Sequence, residues 1–267
     1  MKRRVKIAIS SLYFVFRWPI LLIADLLGYA TGRRLVVLYY HDIPDSARAG
    51  FARQMDMLIK RATVVGADWR GAATKRLVCA ITFDDALNSV LTNALPELAK
   101  RQIPCTIFVP AGMMGRKPDW VMETECNQAE TVASPEEIKS LLGPLVTIGA
   151  HTVSHPFLSR IPRDAARAEI EQSRAILSAA TGHPVSLMSF PYGDYDADVA
   201  AMCNEAGYDL VFGIEPQRID PLACDFIRGR TSVDPSDGPL TFFLKMTGSY
   251  SWMPFVSELK KALIGAP

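Results

Sequence analysis

Apolar runs alternate with amphipathic segments along most of this chain. The apolar runs are rich in Val, Ile, Leu and aromatic residues, which is typical of buried strands. The predicted strands lie at 34–43, 76–83, 103–110, 145–152, 185–193 and 208–214. The predicted helices lie at 47–61, 88–101, 164–180 and 196–206, with another beginning at Ser134. Such regular alternation indicates an α/β fold with a parallel sheet and right-handed crossovers.

Polar residues follow directly after several of these strands. They occupy positions 41–42, 84–85, 151–155 and 191–194. In a closed barrel the carboxyl ends of all strands converge on one rim, whereas an open sheet spreads them along an edge. The positions of these polar residues therefore favour a barrel with its functional site at that rim.

The first 32 residues have a different pattern. Four of the first six residues are basic, and Ile7–Leu27 is mostly apolar. Arg17 lies near the centre, where a charge costs a spanning helix roughly 2.5–3.5 kcal/mol, and Pro19 follows it. We expect membrane association through residues 5–30, as a helix lying in the interface or as a tilted anchor. A cleaved signal peptide, or a helix packed on the domain, are the alternatives.

Composition limits the remaining possibilities. The 267 residues are 49% hydrophobic and 21% charged, which suits a folded domain with a large core. We therefore divide the chain into a basic and apolar N-terminal helix at 1–32 and a barrel domain at 33–267. The net charge of +1 gives no reason to expect nucleic acid as a partner. Five cysteines without a CxxC pair argue against a zinc knuckle.

Two motifs at strand ends indicate metal chemistry. Asp84 and Asp85 are adjacent after the second predicted strand, and His151 and His155 follow the fourth. Two neighbouring carboxylates cannot easily both stay charged without a cation nearby. Imidazole and carboxylate ligands suit zinc and other first-row divalent metals, and the second carboxylate remains available as a base. The combination predicts a metal-assisted hydrolase.

The motifs TFDD, HTxxH and PYG, in this order, resemble those of the polysaccharide deacetylases of carbohydrate esterase family 4, which carry the NodB homology domain. The upstream YYHDI and the TGxPV before the PYG turn are similar to the same family. The resemblance covers roughly residues 35–234. It implies a distorted seven-stranded (β/α) barrel, preceded here by an N-terminal apolar helix.

The resemblance also implies roles for individual residues. Asp84 would be the general base, while Asp85, His151 and His155 would bind a divalent metal, usually zinc. The backbone N–H of Tyr192 would stabilise the oxyanion formed when water attacks an acetamide. The substrate would be an N-acetylated glycan or glycolipid, and the products acetate and a free amine.

Four other residues are expected near the substrate. Pro191 and Gly193 shape the turn that would face it, and Arg230 is the candidate for binding it at the rim. His41 is either an additional hydrogen-bond donor beside the site or a structural residue at the end of a strand.

The sequence departs from the family pattern at three points. Ala86 replaces the usual glycine after the two aspartates, and Ser189 replaces an arginine that orients the base in many members. All four histidines precede the PYG turn, so the family's late general-acid histidine is missing. The leaving amine would then receive its proton from Asp84, from water or from an unidentified group.

We therefore expect a hydrolase of non-peptide carbon–nitrogen bonds. It would remove N-acetyl or similar acyl groups from a polysaccharide or a lipid-linked glycan. The competing hypothesis is a non-catalytic glycan-binding or scaffold protein built on the same barrel. The N-terminal segment predicts a location at an inner or plasma membrane, on an undetermined side, with an exported or cytoplasmic protein as alternatives.

Overall fold

The computed structural model describes residues 3–27, 34–71, 77–122, 125–256 and 259. The strands are β1 (Arg34–Tyr40), β2 (Thr63–Val64), β3 (Leu77–Phe83), β4 (Cys105–Val109), β5 (Val146–Ala150), β6 (Leu187–Ser189), β7 (Leu210–Phe212), β8 (Ile227–Arg228) and β9 (Thr231–Ser232). The helices are α1 (Arg3–Leu26), α2 (Arg48–Arg61), α3 (Leu95–Lys100), α4 (Glu125–Ala129), α5 (Pro135–Ser140), α6 (Arg163–Thr181), α7 (Ala197–Glu205) and α8 (Pro239–Met246).

The strands form one parallel, curled sheet. Their order is β8-β7-β6-β5-β4-β3-β1-β9, with β2 beside β3. Only Gly229 and Arg230 separate β8 from β9 along the chain, so the two ends of the sheet lie next to each other. This confirms a curled parallel α/β fold. The described residues contain nine strands, whereas the resemblance implied seven. Three of the nine, β2, β8 and β9, are only two residues long, and strands this short give no periodic signal in a sequence.

Alternating side chains of the strands fill two separate cores. Val36, Leu38 and Tyr40 of β1 join the core between the sheet and the helices. Leu35 and Val37 face the other way, into the curled sheet, where they join a smaller interior core. Because side chains alternate along a strand, the side chain of the residue that follows each strand points to a predictable face of the sheet. This alternation places the polar residues of the site.

The helices follow the predicted pattern closely. Ser134 caps α5 in a capping box with Glu137, as the Ser-Pro-Glu-Glu run indicates. Gly182, with a φ of 73°, ends α6 in the left-handed conformation that glycine adopts without strain. Pro96 lies at the start of α3 rather than inside a long helix, so the segment predicted at 88–101 is divided there.

The predicted N-terminal helix is present as α1, but it is amphipathic rather than apolar. Its polar side pairs with α8 and the residues around that helix. The contacts are Arg3 with Asp237 (2.8 Å), Trp252 with Ser10 (2.9 Å), Tyr13 with Ser251 (3.3 Å), and Arg17 with the carbonyls of Thr247 and Gly248 (3.4 and 3.5 Å). These bonds fix which side of α1 faces the barrel.

Across the described part of the chain, no helix combines the length and the apolar character needed to cross a bilayer. The boundary predicted between residues 32 and 33 falls within 28–33, which lie outside the described residues. The structure therefore shows α1 as a helix packed on the barrel, one of the arrangements that the sequence left open.

Candidate active site

Asp84 lies at the carboxyl end of β3 and points into the curled sheet. Val78 and Ala80 of the same strand belong to the interior core, and Asp84 continues this alternation two residues beyond Thr82. Its backbone N–H donates to the carbonyl of Tyr40 at 2.9 Å, which extends the pairing of β3 with β1. The side chain is buried, with 3% of the residue exposed.

Asp85 turns away from the strand because the backbone reverses there. Its φ is +66°, and that of Ala86 is +50°. Alanine thus occupies the left-handed turn for which glycine is usual, at a cost of roughly 1–2 kcal/mol for an L-residue. The Ala86 carbonyl accepts from Ala133 at 2.9 Å, which helps to hold the turn.

Backbone strain is concentrated in this site. Among the described non-glycine residues with positive φ, Gln102 alone lies elsewhere. The other five are Asp85, Ala86, Thr152, His155 and Tyr192. Strain of this kind persists only where surrounding contacts impose it, and it is commonest at functional sites.

His151 and His155 belong to a non-helical loop after β5. His151 continues the interior side of that strand, and its Nδ1 lies 2.8 Å from the Ser189 carbonyl, to which it can donate. Glu169 of α6 holds the loop, since its carboxylate accepts from the backbone N–H groups of Val153 and Ser154, both at 2.8 Å. No sequence pattern marks Glu169, because it is one of several acidic residues on a helix.

Asp85, His151 and His155 form a compact cluster of metal-binding type. Their candidate ligand atoms lie within 4.8 Å of one another. The Nε2 atoms of His151 and His155 are 3.8 and 3.4 Å from Asp85 Oδ1. All three residues are buried, and the structure brings them together as the sequence predicted.

This cluster fits a divalent cation. Asp85 Oδ1 is buried without a hydrogen-bond partner among the described residues, although a buried carboxylate normally has one. In the neutral tautomer that donates from Nδ1 to the Ser189 carbonyl, His151 Nε2 can bind a metal. Two imidazoles and one carboxylate are the donor set of a common class of catalytic zinc site.

The electrostatics of the cluster also favour a cation. Burial raises the pKa of the Asp85 carboxyl. Burial, followed by the neighbouring His151, lowers the pKa of His155 to about 2, so this ring stays neutral at ordinary pH. The neutral His155 ring thus supplies no positive charge to the neighbouring Asp85 carboxylate, and it remains available as a metal ligand.

Asp84 has the opposite environment because Arg230 pairs with it. Arg230 donates from Nη1 to Asp84 Oδ1 at 2.7 Å and from Nη2 to Oδ2 at 2.8 Å. Burial alone would raise the pKa of Asp84, but the Arg230 guanidinium holds it well below its usual range. The Asp84 carboxylate is therefore ionised and oriented within the protein itself.

The position of Arg230 differs from the rim position that we expected. The residue is completely buried, and its guanidinium packs against the rings of Tyr39 and Phe108 inside the curled sheet. Its place is set by the link between β8 and β9, which crosses the point where the two ends of the sheet meet. Arg230 is thus positioned to orient Asp84 rather than to contact a substrate at the surface.

Ser189 takes part in the same arrangement. Arg230 Nη2 donates to Ser189 Oγ at 2.6 Å, in addition to its bonds with Asp84. Where many family members place an arginine, this chain has a small acceptor that leaves space for an arginine from the link between β8 and β9. The apparent loss at position 189 is therefore compensated within the structure.

Pro191, Tyr192 and Gly193 form a tight turn beside the metal-binding cluster. Pro191 is buried, Tyr192 has a φ of +58°, and a side chain at Gly193 would collide with Ile214. The Tyr192 ring packs edge-on against His155, with ring centroids 4.6 Å apart. The turn is thus next to the cluster, and the use of the Tyr192 N–H for an oxyanion remains a prediction.

Trp120 is a site residue that sequence reasoning missed. Its ring stacks on His155, with ring centroids 4.4 Å apart and an interplanar angle of 15°. It precedes the gap at 123–124 in the described chain and belongs to no regular element, so periodicity could not place it. Trp120 and Tyr192 together fix the orientation of the His155 ring.

His41 lies level with Asp84 on the neighbouring strand. β1 and β3 pair in parallel with Tyr39 opposite Thr82, so the residues two positions further on, His41 and Asp84, are also neighbours. His41 is only half-buried, and its charge would stabilise the ionised forms of both Asp84 and Asp85. This is consistent with a donor beside the site.

Comparison with known proteins identifies the family. The polysaccharide deacetylase family model matches residues 71–211. A chitooligosaccharide deacetylase of Sinorhizobium fredii is 30% identical over 140 residues, which cover 51% of this chain and 57% of that protein. The chain spans about half the length of the curated relatives it matches, from 44% to 57%.

Solved structures share the fold over most of the chain. IcaB from Ammonifex degensii aligns with a TM-score of 0.67 and 25% identity, covering 81% of this chain and 97% of that one. The deacetylase PplD from Streptococcus pyogenes, in complex with acetate, aligns with a TM-score of 0.67 and 19% identity, covering 81% and 99%. With the family model matching more than half of its residues, the chain belongs to the polysaccharide deacetylase family.

Proposed function

We propose that this protein is a metal-dependent hydrolase that removes N-acetyl groups from amino sugars of a glycan. One observation carries the proposal: a buried Asp-His-His cluster without an internal cation lies directly beside an ionised aspartate. The S. fredii relative is a chitooligosaccharide deacetylase, which supports an N-acetylated sugar as the substrate.

Asp85, His151 and His155 would hold the metal, with zinc as the first candidate for this ligand set. A bound divalent metal would supply a Lewis acid and lower the pKa of a water molecule. Asp84 would take the proton from the attacking water. Each of its two carboxylate oxygens accepts one hydrogen bond from Arg230 and keeps a further lone pair free for that proton. The Arg230 pair keeps Asp84 unprotonated and correctly oriented for this step.

His41 is the group best placed to return a proton to the leaving nitrogen. The parallel register sets it beside Asp84, and its partial exposure allows contact with both substrate and solvent. Imidazole is the side chain most often used for such transfer near neutral pH. The backbone N–H of Tyr192 would stabilise the oxyanion, since the PYG turn lies against His155.

The competing hypothesis of a non-catalytic scaffold would rest on two departures from the family pattern, Ser189 and the missing late histidine. Arg230, in the link between β8 and β9, donates to Ser189 Oγ and pairs with Asp84, which supports an oriented base despite the serine. We propose that His41 takes the place of the missing late histidine, because the register of β1 with β3 sets it beside Asp84. Retention of the metal-type cluster together with a fixed base favours turnover.

The test is acetate release from N-acetylated chitooligosaccharides, measured together with metal content. We expect activity that a chelator removes and zinc restores, and that Asp84→Asn abolishes with metal binding retained. The control Asp198→Asn changes an exposed carboxylate of α7 and should leave activity unchanged. Acetate release that survives both chelation and Asp84→Asn would refute the proposal.

His41→Gln separates its role from that of Asp84. If His41 donates the second proton, this variant should lose kcat while bound metal stays stoichiometric. An unchanged kcat would assign the proton to another group.

We also propose that the protein works at a membrane surface, where lipid-linked glycans would be accessible. The supporting feature is α1, whose outward side is apolar.

A further inference from the structure

The outward side of α1 is a continuous apolar stripe, which we call the α1 stripe. It consists of side chains that are 44–70% exposed on a helix otherwise packed on the barrel: Val5, Leu12, Val15, Phe16, Ile20, Ile23 and Leu27. From Leu12 onward most of them recur every three or four residues, so they share one face. Exposed apolar surface of this extent normally marks an interaction site.

The orientation of α1 is the reverse of that expected for a helix covering a water-soluble domain. Its polar residues Ser10, Tyr13 and Arg17 face the barrel, and its large hydrophobic residues face outward. The aromatic contact of Phe14 with Phe243 strengthens the same attachment, with ring centroids 5.1 Å apart. The stripe is therefore held outward rather than left exposed by loose packing.

The Arg17 charge does not lie on the side of α1 that would contact a membrane. In the sequence, Arg17 places a charge in the middle of an apolar helix, which penalises insertion. In the structure its guanidinium reaches the carbonyls of Thr247 and Gly248 and lies over the Tyr13 ring. Among the described side chains the α1 stripe itself contains no charged residue.

The charge distribution indicates which surface the stripe fits. Arg3 and Arg4 are exposed and Lys6 is partly exposed at the start of α1. The first acidic residue of the chain is Asp25. Basic residues beside an apolar face are attracted to anionic lipid headgroups, whereas a second copy of the chain would bring the same positive charge.

We propose that α1 docks the barrel onto an anionic lipid bilayer, lying in the plane of the surface with its stripe among the acyl chains. The stripe runs for about 33 Å along the helix axis at 1.5 Å per residue, which suits a helix lying flat. This inference rests on the proposed membrane location but not on the deacetylase activity.

The experiment is flotation of the full chain with vesicles. Phosphatidylcholine vesicles, with or without phosphatidylglycerol, are compared in the absence of substrate. Phe16→Glu and Ile20→Glu should each lower binding about tenfold or more. Each removes an apolar side chain that would be buried among the acyl chains of the bound vesicle, and each adds a charge there. Arg4→Gln should lower binding about fivefold on anionic vesicles only.

Leu222→Glu is the matched control, because Leu222 is an apolar residue on the barrel with 73% exposure. It should bind like the unmodified protein. Circular dichroism should show that the stripe variants remain folded, since the changed side chains already face solvent.

Two results would overturn the proposal. One is vesicle binding that is absent, or equal for Phe16→Glu and Leu222→Glu. The other is a dimer in solution without vesicles that Phe16→Glu converts to a monomer, which would assign the stripe to a second copy. Acetate release measured on soluble chitooligosaccharides is independent of either result, so failure of the activity and failure of docking are distinguishable.

Discussion

The two neighbouring aspartates of the site have opposite electrostatic environments. Asp84 and Asp85 are adjacent in sequence and both are buried. The Arg230 guanidinium pairs with Asp84, whose pKa lies well below its usual range, whereas burial raises the pKa of Asp85, which has no such partner. The protein thus contains the counterion for one carboxylate, and we propose that a bound cation supplies it for the other.

This difference is what the two proposed roles, base for Asp84 and metal ligand for Asp85, require. A base must remain ionised and oriented when no metal is bound, and an internal arginine provides this. A metal ligand must instead retain an unsatisfied negative charge, because that charge provides affinity for the cation. The reversal of the backbone at Asp85, with its positive φ, sends the second carboxylate away from the arginine.

The largest predicted effect is on folding after removal of the Asp84 charge. Asp84→Asn leaves the buried Arg230 unpaired and should lower the free energy of unfolding of metal-free protein by about 3–5 kcal/mol. Urea denaturation measures it, with Asp198→Asn expected within about 0.5 kcal/mol of the unmodified protein. A loss below about 1 kcal/mol would mean that Arg230 is not compensating Asp84.

The combined variant sharpens this comparison. Replacing both partners, as in Asp84→Leu with Arg230→Met, removes the unpaired charge. It should therefore recover much of the stability lost by Asp84→Asn. Stability no better than that of the single variant would indicate that packing, rather than charge, dominates at this position.

The second prediction concerns Asp85. Zinc at about 100 times its dissociation constant should stabilise the unmodified protein by about 2.7 kcal/mol. In Asp85→Asn this stabilisation should disappear, while the metal-free variant should be at least as stable as the unmodified protein because a poorly compensated buried carboxylate is gone. Thermal unfolding with and without zinc tests both parts. Destabilisation of metal-free Asp85→Asn would contradict the proposed contrast between the two aspartates.

Local motifs predicted one half of this site better than the other. The metal-binding half is Asp85 with His151 and His155, and the base half is Asp84 with Arg230 and Ser189. Asp85, His151 and His155 follow strand ends, and parallel strands deliver such residues to one rim. The Asp84–Arg230 pair spans 146 positions along the chain, and the two-residue strands that position Arg230 have no periodic pattern. The sequence therefore suggested an exposed arginine where the structure has a buried one.

Similar reasoning applies to the rest of the fold. The six longer strands were predictable because they are buried on both faces and so form continuous apolar runs, and most helices because their apolar positions follow the helical period. Glu169 and Trp120 were not, since each acts through a contact between segments that are distant in sequence. The side of α1 that faces the barrel also depended on packing, because only the structure shows Arg17 bonded to the carbonyl of Thr247.

The third prediction tests Ser189 as part of the base half. Ser189→Ala removes an acceptor 2.6 Å from Arg230 Nη2. We expect a loss of about 1.5 kcal/mol in unfolding free energy, since hydrogen bonds to charged groups are stronger than neutral ones and Arg230 keeps its other partners. The stabilisation by zinc should remain unchanged. If zinc affinity fell with stability, the two halves of the site would not be separable.

The last predicted effect is a slope with pH rather than a fixed loss, and His155 contributes it in metal-free protein. Burial lowers the pKa of His155 to about 2 in the folded state, from an ordinary value of 6.5. The unfolded chain therefore binds a proton below about pH 6.5 that the folded state binds only near pH 2. Stability contributed by the neutral ring is fully present above pH 6.5 and falls as the pH decreases through this window, by at most about 1.4 kcal/mol per pH unit.

His155→Gln removes the imidazole that binds this proton in the unfolded chain. The free energy of unfolding, measured by urea denaturation with a chelator present, should therefore depend less on pH between pH 6.5 and 4. Asp84 does not mask the effect, because its depressed pKa costs stability only as the pH falls below 3.8, the ordinary pKa of an aspartate. Asp85 acts in the opposite direction, since its raised pKa lets the folded state hold a proton that the unfolded chain has released. A profile equally steep in His155→Gln would show that the buried imidazole is balanced by a charge other than a metal, and the contrast between the two halves would then be lost.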